Sequence, residues 1–199
     1  MTNDKIYIFD TTLRDGAQTQ GVDFSIDDKI KIAHALDDLG VDYIEGGWPG
    51  ANPTDTEFVQ KHTNLKNSIM TAFGMTKKAG RSADNDPGLS SILNSNTRAV
   101  CLVGKTWDFH VDVALGISKE ENLENISEST KLFVKEKKEF MFDAEHFFDG
   151  FKNNKEYTLS CIKAAYDNGA RWIVLCDTNG GTLPNEVSEI VKEVTKSVP

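Results

Sequence analysis

The chain has 199 residues, a formal net charge of -9, and 39% hydrophobic and 27% charged residues. This composition is typical of a globular domain with enough apolar side chains for one core. The acidic balance, with no basic stripe, argues against a nucleic-acid-binding face. No apolar run approaches the roughly 20 residues that span a bilayer, and the first residues carry no signal-peptide hydrophobic region. We therefore expect a cytoplasmic protein that binds neither nucleic acid nor membrane.

Cysteine usage points to the same compartment. The three cysteines, Cys101, Cys161 and Cys176, are odd in number and share no metal-ligand spacing. They are therefore predicted to be reduced packing residues.

Strand and helix patterns alternate along the whole chain. The apolar run 6–9 predicts a buried first strand over 6–12, and a capped amphipathic segment followed by glycine predicts a helix over 25–39. The further strands are predicted at 41–48, 68–73, 99–104, 139–145 and 172–176. The further helices are predicted at 55–62, 87–93, 119–137, 157–168 and 184–198.

Six strand-helix units at a period of about 30 residues indicate a parallel α/β sheet. Two architectures are compatible with it, a doubly wound sheet and a (β/α)8 barrel. No glycine-rich dinucleotide fingerprint follows the first strand, which weakens the doubly wound interpretation. A barrel needs eight units, so residues 1–199 are expected to form a single TIM-barrel catalytic domain truncated to about six units.

Polar side chains follow most of the predicted strands, where barrel enzymes place their chemistry. Arg14 and Asp15 come directly after the first strand. An arginine suits a developing oxyanion, and a carboxylate suits a hard divalent cation. Any one such residue is more often structural than catalytic. Ionisable residues at most of the predicted strand ends, however, are hard to explain as parts of solvated loops. The others are Glu45, Lys105, Asp108, His110, Asp143, Glu145, His146, Asp177 and Thr178.

Three motifs give the chain a family resemblance. The runs TLRDGAQ (12–18), IEGGWPG (44–50) and CDTNG (176–180) resemble the citramalate/isopropylmalate/homocitrate synthase family. These are TIM-barrel metalloenzymes that condense acetyl-CoA with a keto acid, related to hydroxymethylglutaryl-CoA lyase. The GGWPG and FDAEHFFDG runs are most similar to the citramalate branch. Ala17 favours that branch too, because the other two branches usually carry Glu there.

The resemblance implies an acyltransferase that makes citramalate and CoA from acetyl-CoA and pyruvate, in isoleucine and leucine biosynthesis. Isopropylmalate or homocitrate synthesis, or hydroxymethylglutaryl-CoA cleavage, remains open as chemistry on the same scaffold. The implied cofactor is a divalent cation (Mg, Mn or Zn), with acetyl-CoA as co-substrate and a 2-keto acid as substrate. A homodimer is expected for the full-length protein.

The resemblance also implies roles for individual residues. Asp15 matches the metal-binding carboxylate, Arg14 the arginine that contacts the oxygen of the keto acid, and Glu145 the acid that enolises acetyl-CoA. The matches to substrate-binding residues are Gln18, Thr178 and, more loosely, His110.

An alternative of a different class is an inactive fragment. The family completes its metal site with a His-x-His pair on the seventh strand, and these 199 residues contain no His-x-His. This alternative predicts negligible turnover for 1–199 alone and open edges at the first and sixth strands. A regulatory domain, if the protein has one, is expected beyond residue 199.

Overall fold

The computed structural model describes residues 5–61 and 64–198. Its strands are Phe9–Asp10 (β1), Tyr43–Gly47 (β2), Ile69–Met75 (β3), Ala99–Lys105 (β4), Glu139–Glu145 (β5) and Trp172–Leu175 (β6). Its α-helices are Ile26–Leu39 (α1), Pro53–Gln60 (α2), Pro87–Leu93 (α3), Asp108–His110 (α4), Lys119–Lys135 (α5), Phe147–Asn153 (α6), Lys155–Asp167 (α7) and Pro184–Ser197 (α8). Short 3-10 turns occur at Gly16–Gln18 and Ala83–Asn85, and a π-helical turn at Val111–Leu115.

The strands form one sheet in the order β1-β2-β3-β4-β5-β6. The pairs β1–β2, β2–β3 and β5–β6 are parallel, with Phe9 opposite Tyr43 and Phe142 opposite Ile173. The register between β2 and β3 shifts between Glu45 and Gly47. Each strand is followed by at least one helix, which confirms the predicted alternation of strands and helices.

The helix ends follow the capping chemistry in the sequence. The Ser25 hydroxyl accepts the Asp28 N–H at 3.2 Å, and the Asp28 carboxylate accepts the Ser25 N–H at 3.1 Å, which forms a capping box at the start of α1. The helix ends at Gly40, whose φ of 88° is a left-handed conformation that glycine adopts without strain.

The first strand differs from its prediction. We expected a buried run at 6–9 inside a strand over 6–12, but only Phe9–Asp10 is in the ladder. Ile6 is 85% and Ile8 56% exposed, so the expectation of burial was wrong. The reason is position, because β1 stands at the end of the strand order and β2 is its one neighbour among the described residues.

Several helix boundaries also differ. Helices α4 and α6 were not predicted, because each spans two turns or fewer and shows no amphipathic period. Helix α2 begins at Pro53 rather than at residue 55, since the Asn52 side chain caps it by accepting the Asp55 N–H at 2.7 Å. The predicted end of that helix at His62, the first four residues and residue 199 lie outside the described residues. Among the described residues, no helix is both long and apolar enough to cross a membrane.

Two compact units make up the chain. The first unit contains the described residues up to 74 together with 90–100, and the second contains 75–89 with 101–198. The core of the first unit includes Leu13, Ile44 and Phe58. The core of the second includes the buried aromatic side chains of Phe133, Phe140, Phe142 and Phe147.

Candidate functional site

In the first unit, the turn after β1 holds Arg14 beside Asp15. The backbone N–H groups of Arg14, Asp15 and Gly16 all donate to the Thr11 carbonyl, at 3.2, 2.9 and 3.1 Å. Leu13 is fully buried and anchors the turn in the core. The hydrogen-bonded turn therefore fixes the backbone positions of Arg14 and Asp15.

The guanidinium of Arg14 is held on three sides. Its Nε donates to Glu45 Oε2 at 2.7 Å, its Nη1 donates to Asp15 Oδ1 at 3.0 Å, and its Cζ lies 3.9 Å from the centroid of the Phe73 ring. Glu45 is fully buried, and the Arg14 side chain is 14% exposed. Because a guanidinium carries five N–H donors and keeps its charge, this arrangement presents a fixed cation to an anionic or developing oxyanionic group.

Asp15 provides an accessible carboxylate. Its side chain is 65% exposed, and carboxylate oxygens are the donors that hard divalent cations prefer. Asp15 therefore fits as one ligand of such a cation. A stable site needs additional donors, so Asp15 alone does not constitute a metal centre.

A buried lysine supports the same turn. Lys29, on α1, is 2% exposed, and its Nζ donates to the carbonyl oxygens of Leu13 at 2.8 Å and Gly46 at 3.0 Å. It also forms an ion pair with Asp55, whose Oδ2 accepts the Trp48 N–H at 2.8 Å. The ammonium thus ties the end of β1 to the end of β2. Sequence reasoning missed this role, although Lys29 lies on the same helix face as buried Ala33, which is an unusual place for a lysine.

In the second unit, the predicted catalytic acid Glu145 ends β5 and pairs with Lys105, which ends β4. Lys105 forms an ion pair with Glu145 Oε2, with the two side chains 17% and 24% exposed. The Thr106 hydroxyl donates to the Glu145 carbonyl oxygen at 2.7 Å. Both the backbone and the carboxylate of Glu145 are therefore fixed. Lys105 was noted at a strand end, but its pairing with Glu145 was not predicted.

His146 follows immediately, in an unusual conformation. Its φ of 53° places a non-glycine residue in the left-handed region, which costs about 1–2 kcal/mol. The Thr178 hydroxyl accepts the His146 N–H at 2.9 Å, and His146 Nδ1 lies 3.1 Å from Asp149 Oδ2. The Asn179 amide donates to the same Asp149 oxygen at 2.9 Å. Contacts from α6 and from the loop after β6 thus hold the strained residue.

His110 packs against His146. The two ring centroids are 4.3 Å apart with the rings nearly perpendicular, and the Trp107 ring lies 4.8 Å from the His110 ring. His110 Nδ1 is buried and has no hydrogen-bond partner among the described residues. Burial lowers the pKa of His110, and the neighbouring His146 and Lys105 lower it further, against the opposing effect of Glu145 and Asp149.

The remaining predicted residues lie at exposed positions. Gln18 ends the 3-10 turn after Asp15, and its N–H donates to the Asp15 carbonyl at 3.0 Å. Thr178 follows β6 and contacts the His146 backbone. The first unit therefore groups Arg14, Asp15 and Gln18. The second groups Glu145, His110 and Thr178 around His146. Sequence reasoning missed Asp149, whose role has no signal in spacing alone.

Comparison with known proteins assigns the fold and the family. The chain superposes on the crystal structure of the Bacillus subtilis HMG-CoA lyase with a TM-score of 0.80 at 20% sequence identity. The superposition covers 98% of this chain and 65% of the lyase chain. The fold is thus that of the TIM-barrel class, represented here by six β/α units. The HMGL-like family model matches residues 5–199, and the chain belongs to that family.

Two curated relatives match almost the whole chain. It is 52% identical to the (R)-citramalate synthase of Aquifex aeolicus, over 96% of this chain and 37% of that protein. It is 32% identical to the 2-isopropylmalate synthase 1 of Caldanaerobacter subterraneus, over 98% of this chain and 48% of that protein. The chain therefore spans less than half the length of either relative.

Proposed function

We propose that this chain is the catalytic barrel segment of an enzyme that condenses acetyl-CoA with pyruvate to give citramalate and CoA. The observation that carries the proposal is the 52% identity to an (R)-citramalate synthase, against 32% to a 2-isopropylmalate synthase, over nearly the same residues. Ala17, in the place where the isopropylmalate and homocitrate branches usually carry Glu, supports the same choice.

Arg14 is the proposed oxyanion contact. A Claisen-type condensation places negative charge on the keto oxygen as the new carbon–carbon bond forms. A guanidinium already oriented by Glu45 and Asp15 needs little reorganisation to stabilise that charge. Gln18, exposed on the same turn, is proposed to contact the substrate.

Glu145 is the proposed base that removes a methyl proton from acetyl-CoA. Lys105 pairs with the Glu145 carboxylate, and the Thr106 hydroxyl donates to the Glu145 backbone carbonyl. The carboxylate therefore begins the reaction in a defined orientation, which is what proton transfer in a bound complex requires. Thr178 and His110 are proposed to be substrate-binding residues.

Asp15 is proposed to hold a divalent cation as one of several ligands. Enzymes of the HMGL-like family depend on such a cation, and when bound it would polarise the keto carbonyl as a Lewis acid. Magnesium, manganese and zinc all remain candidates. We also propose a cytoplasmic homodimer, acting in isoleucine and leucine biosynthesis, with residues 1–199 as one incomplete barrel domain.

Two other candidates remain. The first is 2-isopropylmalate synthesis, which is supported by the 32% identity to a 2-isopropylmalate synthase. The second candidate is an inactive segment. It is supported by the share of the Aquifex protein that the chain spans, 37%, and by the lack of a His-x-His pair in these 199 residues.

Thiol release from acetyl-CoA tests the choice, with pyruvate, 2-ketoisovalerate and 2-ketoglutarate compared in the complete encoded protein and in 1–199. We expect pyruvate to support the highest kcat/KM in the complete protein and negligible turnover in 1–199. Preference for either of the other keto acids would reject the citramalate proposal. Full turnover by 1–199 would reject the inactive-segment candidate.

A further inference from the structure

We propose that His146, oriented by Asp149, is the general base for hydrolysis of the acyl-CoA thioester that condensation leaves behind. The inference rests on the proposed function and adds a second reacting group to it. Its starting point is geometric. Asp149 on α6 and Thr178 in the loop after β6 hold His146, the residue after Glu145, in a left-handed backbone conformation.

Asp149 determines which imidazole nitrogen is available. A carboxylate accepts hydrogen bonds, and Asp149 Oδ2 lies 3.1 Å from His146 Nδ1. This contact favours the neutral tautomer that carries its proton on Nδ1, which would leave Nε2 as a proton acceptor. The Asn179 amide, 2.9 Å from the same oxygen, fixes the carboxylate in turn.

The strained backbone is consistent with a functional position. Residues in the left-handed region persist when their surroundings hold them, and they occur often at active sites. Here the Thr178 hydroxyl accepts the His146 N–H at 2.9 Å, while the ring packs against His110 and Trp107. The His146 side chain is only 12% exposed, so its ring is held within the cluster rather than in solvent.

Two reactions each need a proton acceptor. In the condensation, Glu145 takes a methyl proton from acetyl-CoA, and the alkoxide that forms on the former keto carbon then takes a proton, which gives the hydroxyl group of citramalyl-CoA. Hydrolysis must then remove a proton from water, and His146 is a second group, beside Glu145, that can accept it. In the proposed step, a water molecule gives its proton to His146 Nε2 while its oxygen adds to the thioester carbonyl carbon. The carbon–sulfur bond then breaks, and the leaving thiolate takes the proton from the imidazolium. The products are a free carboxylic acid and CoA thiol, so atoms and charge balance.

The test uses His146→Asn in the complete encoded protein. Asparagine tolerates the left-handed region, so the variant removes the base while preserving the backbone conformation. The matched control is His34→Asn, which removes an exposed histidine from α1. Two activities are measured separately: exchange of acetyl-CoA methyl protons with D2O, and thiol release from chemically prepared citramalyl-CoA.

We expect His146→Asn to lower thiol release from citramalyl-CoA on the order of 10²-fold or more, the range for loss of a general base. Methyl exchange is expected to stay within about threefold, because Glu145 is unchanged, and quenched turnovers are expected to accumulate citramalyl-CoA. Equal losses in both activities, or unchanged thioester hydrolysis, would overturn the proposal. So would a wild-type protein that does not hydrolyse the supplied thioester.

A measurement that needs no turnover complements the assay. The ¹⁵N resonances of the His146 ring report which nitrogen is protonated, and we expect the Nδ1–H form in the wild type and its loss in Asp149→Asn. An Nε2–H ring in the wild type would overturn the proposal. Failure of the wild type to condense pyruvate, with thioester hydrolysis and the Nδ1–H form intact, would reject the proposed substrate and support the dyad.

Discussion

Arg14 Nε donates to Glu45 Oε2 at 2.7 Å, and Glu45 is completely buried. The contact joins the turn after β1 to the interior of β2. A buried carboxylate costs free energy unless it is paired and hydrogen-bonded. Arg14 therefore has two effects, since it stabilises the fold at this point and presents a fixed cation beside Asp15.

Arg14→Lys is predicted to lower kcat/KM of the complete protein by about 10²–10³-fold, the usual cost of removing one oxyanion donor. A lysine ammonium keeps the charge but lacks the planar fork that reaches both Glu45 and Asp15. Steady-state thiol release measures the effect, with exposed Arg98→Lys as the matched control. Wild-type kcat/KM in Arg14→Lys would show that Arg14 does not act on the substrate.

Lys29→Met is predicted to lower the free energy of unfolding by about 3–5 kcal/mol, the usual cost of removing one partner from a buried ion pair. The change leaves the Asp55 carboxylate and the carbonyls of Leu13 and Gly46 without the ammonium. Urea unfolding provides the measurement. The control is exposed Lys31→Met on the same helix, where a change within about 0.5 kcal/mol is expected. Equal effects of the two substitutions would contradict the role given to Lys29.

Asp37 is predicted to contribute a pH-dependent stability. Burial alone would raise the pKa of Asp37, but backbone N–H donors from Lys66, Asn67 and Ser68 lower it to about 2. A carboxyl group whose folded pKa is depressed stabilises the fold above its unfolded pKa, and that stability is lost as the pH falls through the folded value.

Asp37→Asn should therefore destabilise the fold at pH 7, and the difference from wild type should shrink as the pH falls from about 4 towards about 2. Urea midpoints across this range give the comparison, with exposed Asp38→Asn as the control. A difference that does not change with pH would mean that the Asp37 charge contributes nothing.

The cysteines are predicted to differ in reactivity. Burial raises the pKa of the Cys161 thiol to about 12, so almost none of it is thiolate at pH 8. Cys101 is also buried, whereas Cys176 is half-buried. Alkylation of the folded protein by iodoacetamide, followed by peptide mass spectrometry, should modify Cys176 first. Labelling of Cys161 at the rate found in urea would contradict the buried position.

The sequence was sufficient for the alternation of strands and helices, because apolar periodicity and capping residues act locally. Strand β5 begins and ends where its pattern predicts, at Glu139 and Glu145. The exposure of residues 6–8 was not predictable in the same way. Apolar composition indicates a strand, but exposure depends on which strands lie beside it.

The site was predictable to the extent that motifs carried it. TLRDGAQ indicated Arg14 and Asp15 directly. The partners that hold the motif residues come from distant positions, such as Lys29 for the turn and Lys105 for Glu145. His146 appeared in the sequence as the residue after a strand. Its left-handed backbone and its bond to Asp149 depend on packing that spacing does not encode.

Product identification tests the central claim most directly. The complete encoded protein would be supplied with acetyl-CoA labelled with ¹³C in its acetyl group, unlabelled pyruvate and a divalent cation, and the products followed by NMR. We predict that both labelled carbons appear in citramalate, with one CoA thiol released for each molecule formed. Labelled citramalate absent with pyruvate, but a labelled product formed with 2-ketoisovalerate, would contradict the proposed function and assign the chain to isopropylmalate synthesis.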